Sequence, residues 1–204
     1  MENRMDIQKA LDNLTKHGFN ARYFETGAAA AQALCEELHG RTVGFGGSVT
    51  AQQLGLYELL GKDNEVYWHW AAGDRAKAQE NAAKAEVYIL SANALSETGE
   101  LVNIDGNGNR VAAMFYGHAR VIFLVGTNKL TPDLPSAIHR ARNVASPLNA
   151  RRLQRKTPCA FSEPMRCHDC SSPERICSGM AILYEKMGSI PQTDVWLIGE
   201  ELGY

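Results

Sequence analysis

The strongest constraint on the fold of this chain is the repeated alternation of helical and extended sequence patterns. Ile7, Ala10, Leu11 and Leu14 recur at helical spacing, and residues 19–25 then alternate as in a half-buried strand. The same order repeats downstream, with helices predicted over 28–38, 50–60, 75–84 and 132–144 and strands over 42–45, 66–68, 87–90 and 120–125. This regular alternation favours an α/β fold with a mainly parallel sheet and flanking helices.

The pattern changes in the middle of the chain. Residues 100–104 alternate between apolar and polar, residues 105–109 have the turn-forming sequence Asp-Gly-Asn-Gly-Asn, and residues 110–116 read as extended again. Two extended segments around such a turn predict a β-hairpin.

The charge balance and the apolar runs exclude two kinds of partner. The 204 residues include 21 basic and 23 acidic side chains, for a net charge of -2. Nucleic-acid binding needs an excess of Lys and Arg, so no nucleic-acid partner is expected. The apolar run 121–125 is too short to cross a bilayer, so no membrane partner is expected. Residues 1–6 lack the apolar stretch of a signal peptide, which predicts a cytoplasmic location.

A glycine-rich loop follows the strand predicted at 42–45. It contains Gly46, Gly47, Ser48 and Thr50 and precedes a predicted helix. Such a loop directs backbone N–H groups and hydroxyls toward one point, which suits a small anion. The alternative is an ordinary turn between strand and helix with no ligand.

Further candidate binding residues lie in two more strand-end loops and in the predicted hairpin turn: Asn93 and Glu97, Asn128 and Lys129, and Asn107, Asn109 and Arg110. The Glu97 carboxylate could serve as a base or a nucleophile. The Arg110 guanidinium can bind a carboxylate or a phosphate through two hydrogen bonds. Loops after parallel strands meet at one edge of the sheet, so we expect one cleft to be lined by Ser48, Asn93, Glu97 and Asn128. Taken singly, each loop could also be simply solvated.

Four cysteines in the last quarter of the chain are the most specific chemical signal, with the spacing Cys159-x7-Cys167-x2-Cys170-x6-Cys177. Clustered cysteines in a cytosolic chain indicate a metal site more often than disulfides. Four thiolates suit either an iron–sulfur cluster or zinc, with His168 as a possible substitute ligand. The alternative is a set of free or redox-active thiols, and Cys35 is expected to lie in the core.

The domain organisation follows from where the periodicity ends. Residues 156–178 have no clear helical or extended pattern, whereas the apolar segment 195–198 predicts a final strand. We therefore expect residues 1–155 to form the α/β domain and residues 156–204 to form a cysteine-containing lobe, packed on that domain and closed by a strand.

The four motifs described above occur together in one order, from Gly46-Gly47-Ser48 through Asn93 and Asn107-Gly108-Asn109-Arg110 to Thr127-Asn128-Lys129. In this the chain resembles the LUD-domain family, the lactate utilisation proteins, from about its first helix to Arg152. The resemblance implies a fold like that of glucosamine-6-phosphate deaminase, ribose-5-phosphate isomerase and CoA-transferases. It also implies a role in oxidising L-lactate to pyruvate with iron–sulfur partner subunits.

Glu97 and Lys129 are the candidate catalytic residues, and the resemblance favours a [4Fe–4S] cluster over zinc at the cysteines. Three functions follow. The first is a component of an iron–sulfur-linked oxidoreductase that binds a small anionic metabolite such as lactate. The second is a non-catalytic metabolite-binding or assembly module. The third is a relative of the sugar-phosphate isomerases or acyl transferases, argued from the fold alone.

Overall fold

The computed structural model of the protein describes residues 5–204. The strands in this range are β1 (Asn20–Phe24), β2 (Thr42–Phe45), β3 (Glu65–Tyr67), β4 (Val87–Leu90), β5 (Ala94–Ser96), β6 (Leu101–Asp105), β7 (Arg120–Gly126), β8 (Leu130–Thr131), β9 (Gly179–Leu183) and β10 (Gln192–Ile198). The helices are α1 (Ile7–Lys16), α2 (Gly27–Glu37), α3 (Val49–Gln53), α4 (Leu56–Leu60), α5 (Arg75–Lys84), α6 (Asn109–Phe115), α7 (Leu134–Arg140), α8 (Ser146–Arg152) and α9 (Pro158–Phe161).

Six strands form the main sheet, in the order β1-β10-β7-β4-β2-β3. All neighbouring strands in this sheet run parallel. The other four strands form a smaller sheet in the order β8-β5-β6-β9, which contains the antiparallel pairs. The predicted α/β fold with a mainly parallel sheet is therefore confirmed.

The core lies on both faces of the main sheet, as the central strand β7 shows. Val121, Phe123 and Val125 point into one apolar cluster, whereas Ile122 and Leu124 point into the other. This alternation follows from the two-residue period of a strand. The sheet is buried on both sides, as is usual for parallel sheets with helices on both faces.

The hairpin predicted around residues 105–109 is wrong, because residues 109–115 form helix α6. The Asp105 carboxylate accepts hydrogen bonds from the backbone N–H groups of Asn107 (3.2 Å) and Arg110 (3.0 Å), which caps the start of this helix. Gly108 has a positive φ of 85°, so the turn-forming residues begin a helix rather than join two strands. The structure does contain a β-hairpin, but it is formed by β5 and β6.

Two of the predicted helices are also divided or displaced. The helix predicted over 50–60 is split into α3 and α4 at Gly55, whose φ is 62°. The helix predicted over 132–144 begins only at Leu134, because Thr131 lies in β8 and Asp133 caps α7 by accepting from the Ser136 N–H (2.8 Å). The helical path then continues through a π-helical segment at residues 141–145 into α8.

The last strand, β10, lies inside the main sheet between β1 and β7. Its Asp194 is fully buried and accepts hydrogen bonds from Arg120 Nε (2.7 Å) on β7 and from Asn20 Nδ2 (2.6 Å) on β1. This one carboxylate therefore connects β1, β7 and β10 near their amino-terminal ends. Residues 162–178, between α9 and β9, contain no helix or strand. Within residues 5–204, no helix is both long enough and apolar enough to cross a membrane.

Candidate functional site

A cleft of about 390 Å³ lies at the carboxyl ends of β2, β4 and β7. A residue within three positions of each strand end lines it: Ser48 after β2, Ser91 after β4 and Lys129 after β7. Ligands in open α/β sheets bind at this edge, because the connections that leave the strands there surround a common space. Of the residues predicted from sequence, the cleft brings these together: Gly47, Ser48, Thr50, Asn93, Asn107, Asn109, Arg110 and Lys129.

Lys129 forms the floor of the cleft and is only 3% exposed. Its Nζ donates to Ser91 Oγ (2.8 Å) and Thr50 Oγ1 (3.0 Å), and no carboxylate within residues 5–204 lies within ion-pair distance of it. Loss of hydration on burial, together with the nearby positive charges of Arg140 and Arg110, lowers the pKa of Lys129 to about 7. At neutral pH this amine is therefore present in both its charged and its neutral form.

Arg110 lies beside the floor because two features of the sequence place it there. Asp105 caps α6 and also pairs with the Arg110 guanidinium, at 3.5 Å between Oδ2 and Nε. A side chain on Gly46 would lie 2.6 Å from Arg110 Cγ, so only glycine lets the arginine lie against the end of β2. Gly46 does not line the cleft itself, but it makes room for a residue that does.

The Ser48 hydroxyl accepts from the Ala51 N–H (3.1 Å) and thereby caps α3. This helix has five residues. The hydroxyl is therefore partly committed to the protein, and the cationic side chains offer a ligand stronger contacts than the glycine loop does.

The wall of the cleft includes residues that sequence reasoning did not single out. Six basic side chains line it, against two acidic ones: Arg75, Arg110, Lys129, Arg152, Arg155 and Arg175 against Asp105 and Glu174. The chain as a whole has a net charge of -2, so this excess of positive charge is local and indicates an anionic ligand. Arg152 lies over the ring of Trp70, 4.8 Å from its centroid.

His69 is a further polar group of the cleft wall. The side chain is buried, and its Nδ1 has no hydrogen-bond partner among residues 5–204. Burial lowers the pKa of His69, with Arg75 acting in the same direction, which favours the neutral imidazole. A buried nitrogen without a partner is costly, so a ligand that bonds to it would be favoured.

Glu97 and Asn128 lie outside the cleft, which corrects the expectation that they share it with Ser48. The Glu97 carboxylate accepts from the Asp6 N–H (2.7 Å) and from Lys9 Nζ (3.0 Å), so it attaches α1 to the small sheet. Asn128 Oδ1 accepts from the Leu202 N–H (3.2 Å) and so fixes the segment after β10. Sequence could not separate these residues from the others, because all of them follow a strand.

We expect Glu97→Ala to weaken folding without changing the cleft. Loss of the two hydrogen bonds to a charged acceptor should lower the free energy of unfolding by about 1–3 kcal/mol. Urea denaturation measures this change, and calorimetric titration with pyruvate measures anion binding in the same variant. An unaltered affinity is the expected result. A large fall in the affinity for pyruvate in a folded Glu97→Ala protein would show that Glu97 belongs to the binding site.

A second cavity, of about 300 Å³, is lined by all four cysteines of the last quarter of the chain. Cys167 Sγ accepts from the Asp169 N–H (3.4 Å) and lies 3.7 Å from an Arg142 guanidinium nitrogen. The Thr157 hydroxyl lies 3.3 Å from Cys159 Sγ. Within residues 5–204, however, no three Cys, His, Asp or Glu side chains converge as one metal ion requires.

The two cavities are neighbours and share part of their walls. Ile104, Ser146 and Arg175 line both of them. Arg175 donates to the carbonyl oxygens of Cys170 (2.8 Å) and Cys177 (3.0 Å), so one side chain contacts the cysteine loop and also faces the cleft.

These features define an α/β protein with a cationic cleft at the carboxyl edge of its sheet and a four-cysteine cavity beside it. The model of the LUD domain matches residues 7–190. The chain belongs to the LUD domain family.

Comparison with solved structures supports the same fold. A DUF162 family protein from Deinococcus radiodurans is 13% identical in sequence to this chain, and the alignment covers 95% of this chain and 96% of that protein. The TM-score is 0.51, and this similarity shows the fold alone. Ribose 5-phosphate isomerase A from Neisseria gonorrhoeae is 16% identical in sequence, and the alignment covers 53% of this chain and 54% of that protein. Its TM-score of 0.35 is too low to support a structural relationship. No curated protein matches the chain.

Proposed function

We propose that this protein is one component of an iron–sulfur-linked system that oxidises L-lactate to pyruvate. In this proposal the cleft binds the small anionic metabolite and the four cysteines hold a [4Fe–4S] cluster. The observation that carries the proposal is the common wall of the two cavities, formed by Ile104, Ser146 and Arg175. It would place a bound 2-hydroxy acid beside a redox centre.

The cysteine cavity suits a group larger than one ion. A zinc ion bound by four thiolates at ~2.3 Å draws the sulfur atoms tightly together. The four side chains surround a shared space of about 300 Å³ instead, without the convergence that one ion requires. A [4Fe–4S] cluster, which would supply one-electron transfer, also takes four cysteine thiolates but holds them farther apart. Zinc bound after local closure of the loop is the alternative.

The surroundings of the sulfur atoms also suit an anionic cluster. The Asp169 N–H and the Arg142 guanidinium face Cys167 Sγ, and Arg175 holds the backbone of Cys170 and Cys177. Hydrogen bonds and positive charges of this kind stabilise thiolates and adjust the reduction potential of a bound cluster.

The cleft supplies the groups that binding and deprotonation of a 2-hydroxy acid need. The Arg110 guanidinium would bind the carboxylate. The pKa of Lys129 is about 7, so part of the amine is neutral at neutral pH. This neutral amine would accept the proton of the 2-hydroxyl. Oxidation of lactate to pyruvate releases two electrons and two protons. Because a [4Fe–4S] cluster carries one electron at a time, the two electrons must pass on to an acceptor outside this chain. Iron–sulfur partner subunits would be that acceptor.

The test begins with anaerobically purified protein. We expect four irons and four acid-labile sulfides per chain, with broad visible absorbance that disappears on reduction by dithionite. Cys170→Ser should lose most of the iron. Cys35→Ser is the matched control, since Cys35 lies on α2 outside the cysteine cavity, and it should keep its iron. L-lactate should bleach the visible absorbance only when the partner subunits are present.

Two results would contradict the proposal. One zinc per chain without iron would keep the metal site but remove the redox role, and would favour the binding or assembly module. Absence of any metal, with all four cysteines alkylated rapidly in the folded protein, would remove both the site and the role.

A further inference from the structure

Lys129 has the surroundings of a nucleophilic amine rather than those of a simple charge partner. It is 3% exposed, yet it lines a cleft of about 390 Å³. A buried lysine is normally paired with a carboxylate, because an unpaired buried charge is costly. The two hydrogen bonds of Nζ go to the hydroxyls of Ser91 and Thr50 instead.

The charges around the amine also disfavour the ammonium form. Arg110 and Arg140 are the charged neighbours that act on Lys129, and both are positive. Arg140 is held in place by its hydrogen bond to the Asn128 carbonyl oxygen (3.0 Å), and Arg110 by its bond to the Ile104 carbonyl oxygen (2.6 Å). Desolvation and a neighbouring cation are the two means by which proteins make a lysine amine nucleophilic at neutral pH.

The cleft offers a ligand carboxylate its own partners. The guanidinium groups of Arg110 and Arg152 line the same space as Nζ, and the unpartnered Nδ1 of His69 belongs to the same wall. A ligand with a carboxylate on one carbon and a carbonyl on the next could therefore bind these groups and present the carbonyl carbon to the amine. Such a ligand is a 2-oxo acid.

We propose that Lys129 Nζ forms an imine with the carbonyl carbon of a 2-oxo acid bound in the cleft. This inference rests on the proposed function, since it assigns the same cleft to the oxidised partner of the 2-hydroxy acid. The lone pair of Nζ adds to the carbonyl carbon, and the carbonyl oxygen becomes a hydroxyl by taking up a proton that the nitrogen gives up. That hydroxyl then leaves as water with the second amine proton, and a C=N bond replaces the C=O bond.

The reaction needs no oxidant or reductant, and water reverses it. The Ser91 hydroxyl, 2.8 Å from Nζ, is placed to relay the protons. The consequence for the protein is that the oxidised acid is held covalently, whereas the hydroxy acid, which has no carbonyl, is not.

Reductive trapping tests this inference on the unaltered protein. The folded protein is incubated with pyruvate and cyanoborohydride, and peptide mass spectrometry locates any N-carboxyethyl group. We expect one adduct per chain, on the peptide that contains Lys129, and none when L-lactate replaces pyruvate. Lys129→Arg, which keeps the charge but cannot form the imine, should lose the adduct. Lys84→Arg, at an exposed position on α5, should retain it.

Calorimetric titration of pyruvate without the reductant separates the two proposals. Saturable binding with no adduct at Lys129, or with adducts spread evenly over the surface lysines, would overturn the imine and leave the binding cleft intact. Absence of any pyruvate or lactate binding would overturn the proposed use of the cleft itself. The adduct on unaltered protein is located directly, so this result does not depend on whether a Lys129 variant folds.

Discussion

Lys129→Met should raise the free energy of unfolding at pH 7, and this gain should shrink as the pH rises. The pKa of Lys129 is about 7 in the folded protein, against roughly 10.4 for an unfolded lysine. Between these values the unfolded chain binds a proton that the folded chain does not, so folding stability linked to Lys129 increases with pH. The free energy of unfolding of the wild-type protein should therefore rise, relative to that of the methionine variant, by about 1.4 kcal/mol for each pH unit above 7.

Urea denaturation of both proteins at pH 7, 8 and 9 measures this difference, because the other titrating groups are common to both. Lys84→Met is the matched control. The Lys84 side chain is 70% exposed and stays hydrated on folding. The difference in the free energy of unfolding between Lys84→Met and the wild type should therefore not change with pH. Parallel stability curves for wild type and Lys129→Met would mean that the amine stays charged in the fold. The proposed proton transfer and imine would then both fail.

Asp194→Ala should cause a larger loss of stability than removal of a surface carboxylate. Asp194 is fully buried and receives two hydrogen bonds from Arg120, from Nε at 2.7 Å and from Nη2 at 3.1 Å. Its removal leaves a mostly buried guanidinium with Glu37 as its remaining carboxylate partner. Breaking a buried pair from one side costs about 3–5 kcal/mol.

Glu86→Ala is the comparison, because it breaks the exposed pair of Glu86 with Arg41 and should cost at most about 1 kcal/mol. Denaturant titration gives both values. Equal losses in the two variants would show that the Asp194 cluster does not determine how β1, β10 and β7 assemble.

Much of this fold could be predicted because its elements are marked by local pattern. The strands at 42–45 and 87–90 coincide with β2 and β4, and the helix at 75–84 coincides with α5. The segment after β6 could not be predicted, because Asp-Gly-Asn-Gly-Asn suits both a hairpin turn and a capped helix start. The contact that decides between them runs from the Asp105 carboxylate to the Arg110 N–H, across the turn itself.

The candidate site was predictable to the extent that position along the chain determines position in space. Lys129 and Asn93 could be found because both follow sheet strands and the carboxyl ends of those strands share one edge. Glu97 follows β5, which belongs to the small sheet, so the same rule placed it wrongly. Trp70 and Arg75 had no signal in the sequence, because only the packing of the connection between β3 and α5 brings them to the cleft.

The position of β10 also determines when this chain can complete its fold during synthesis. Among the described strands, β1 pairs in the main sheet with β10 alone, and the hydrogen-bonded residues Asn20 and Asp194 are 174 positions apart. At about 5–20 residues per second, a ribosome needs about 9–35 s to reach Asp194 after it has added Asn20. Until then β1 has no partner, and the adjacent edge of β7 is open. If β1 occupied that edge directly, Arg120 would be buried without the Asp194 carboxylate. The main sheet can therefore be completed only after β10, the last strand within residues 5–204, has been synthesised.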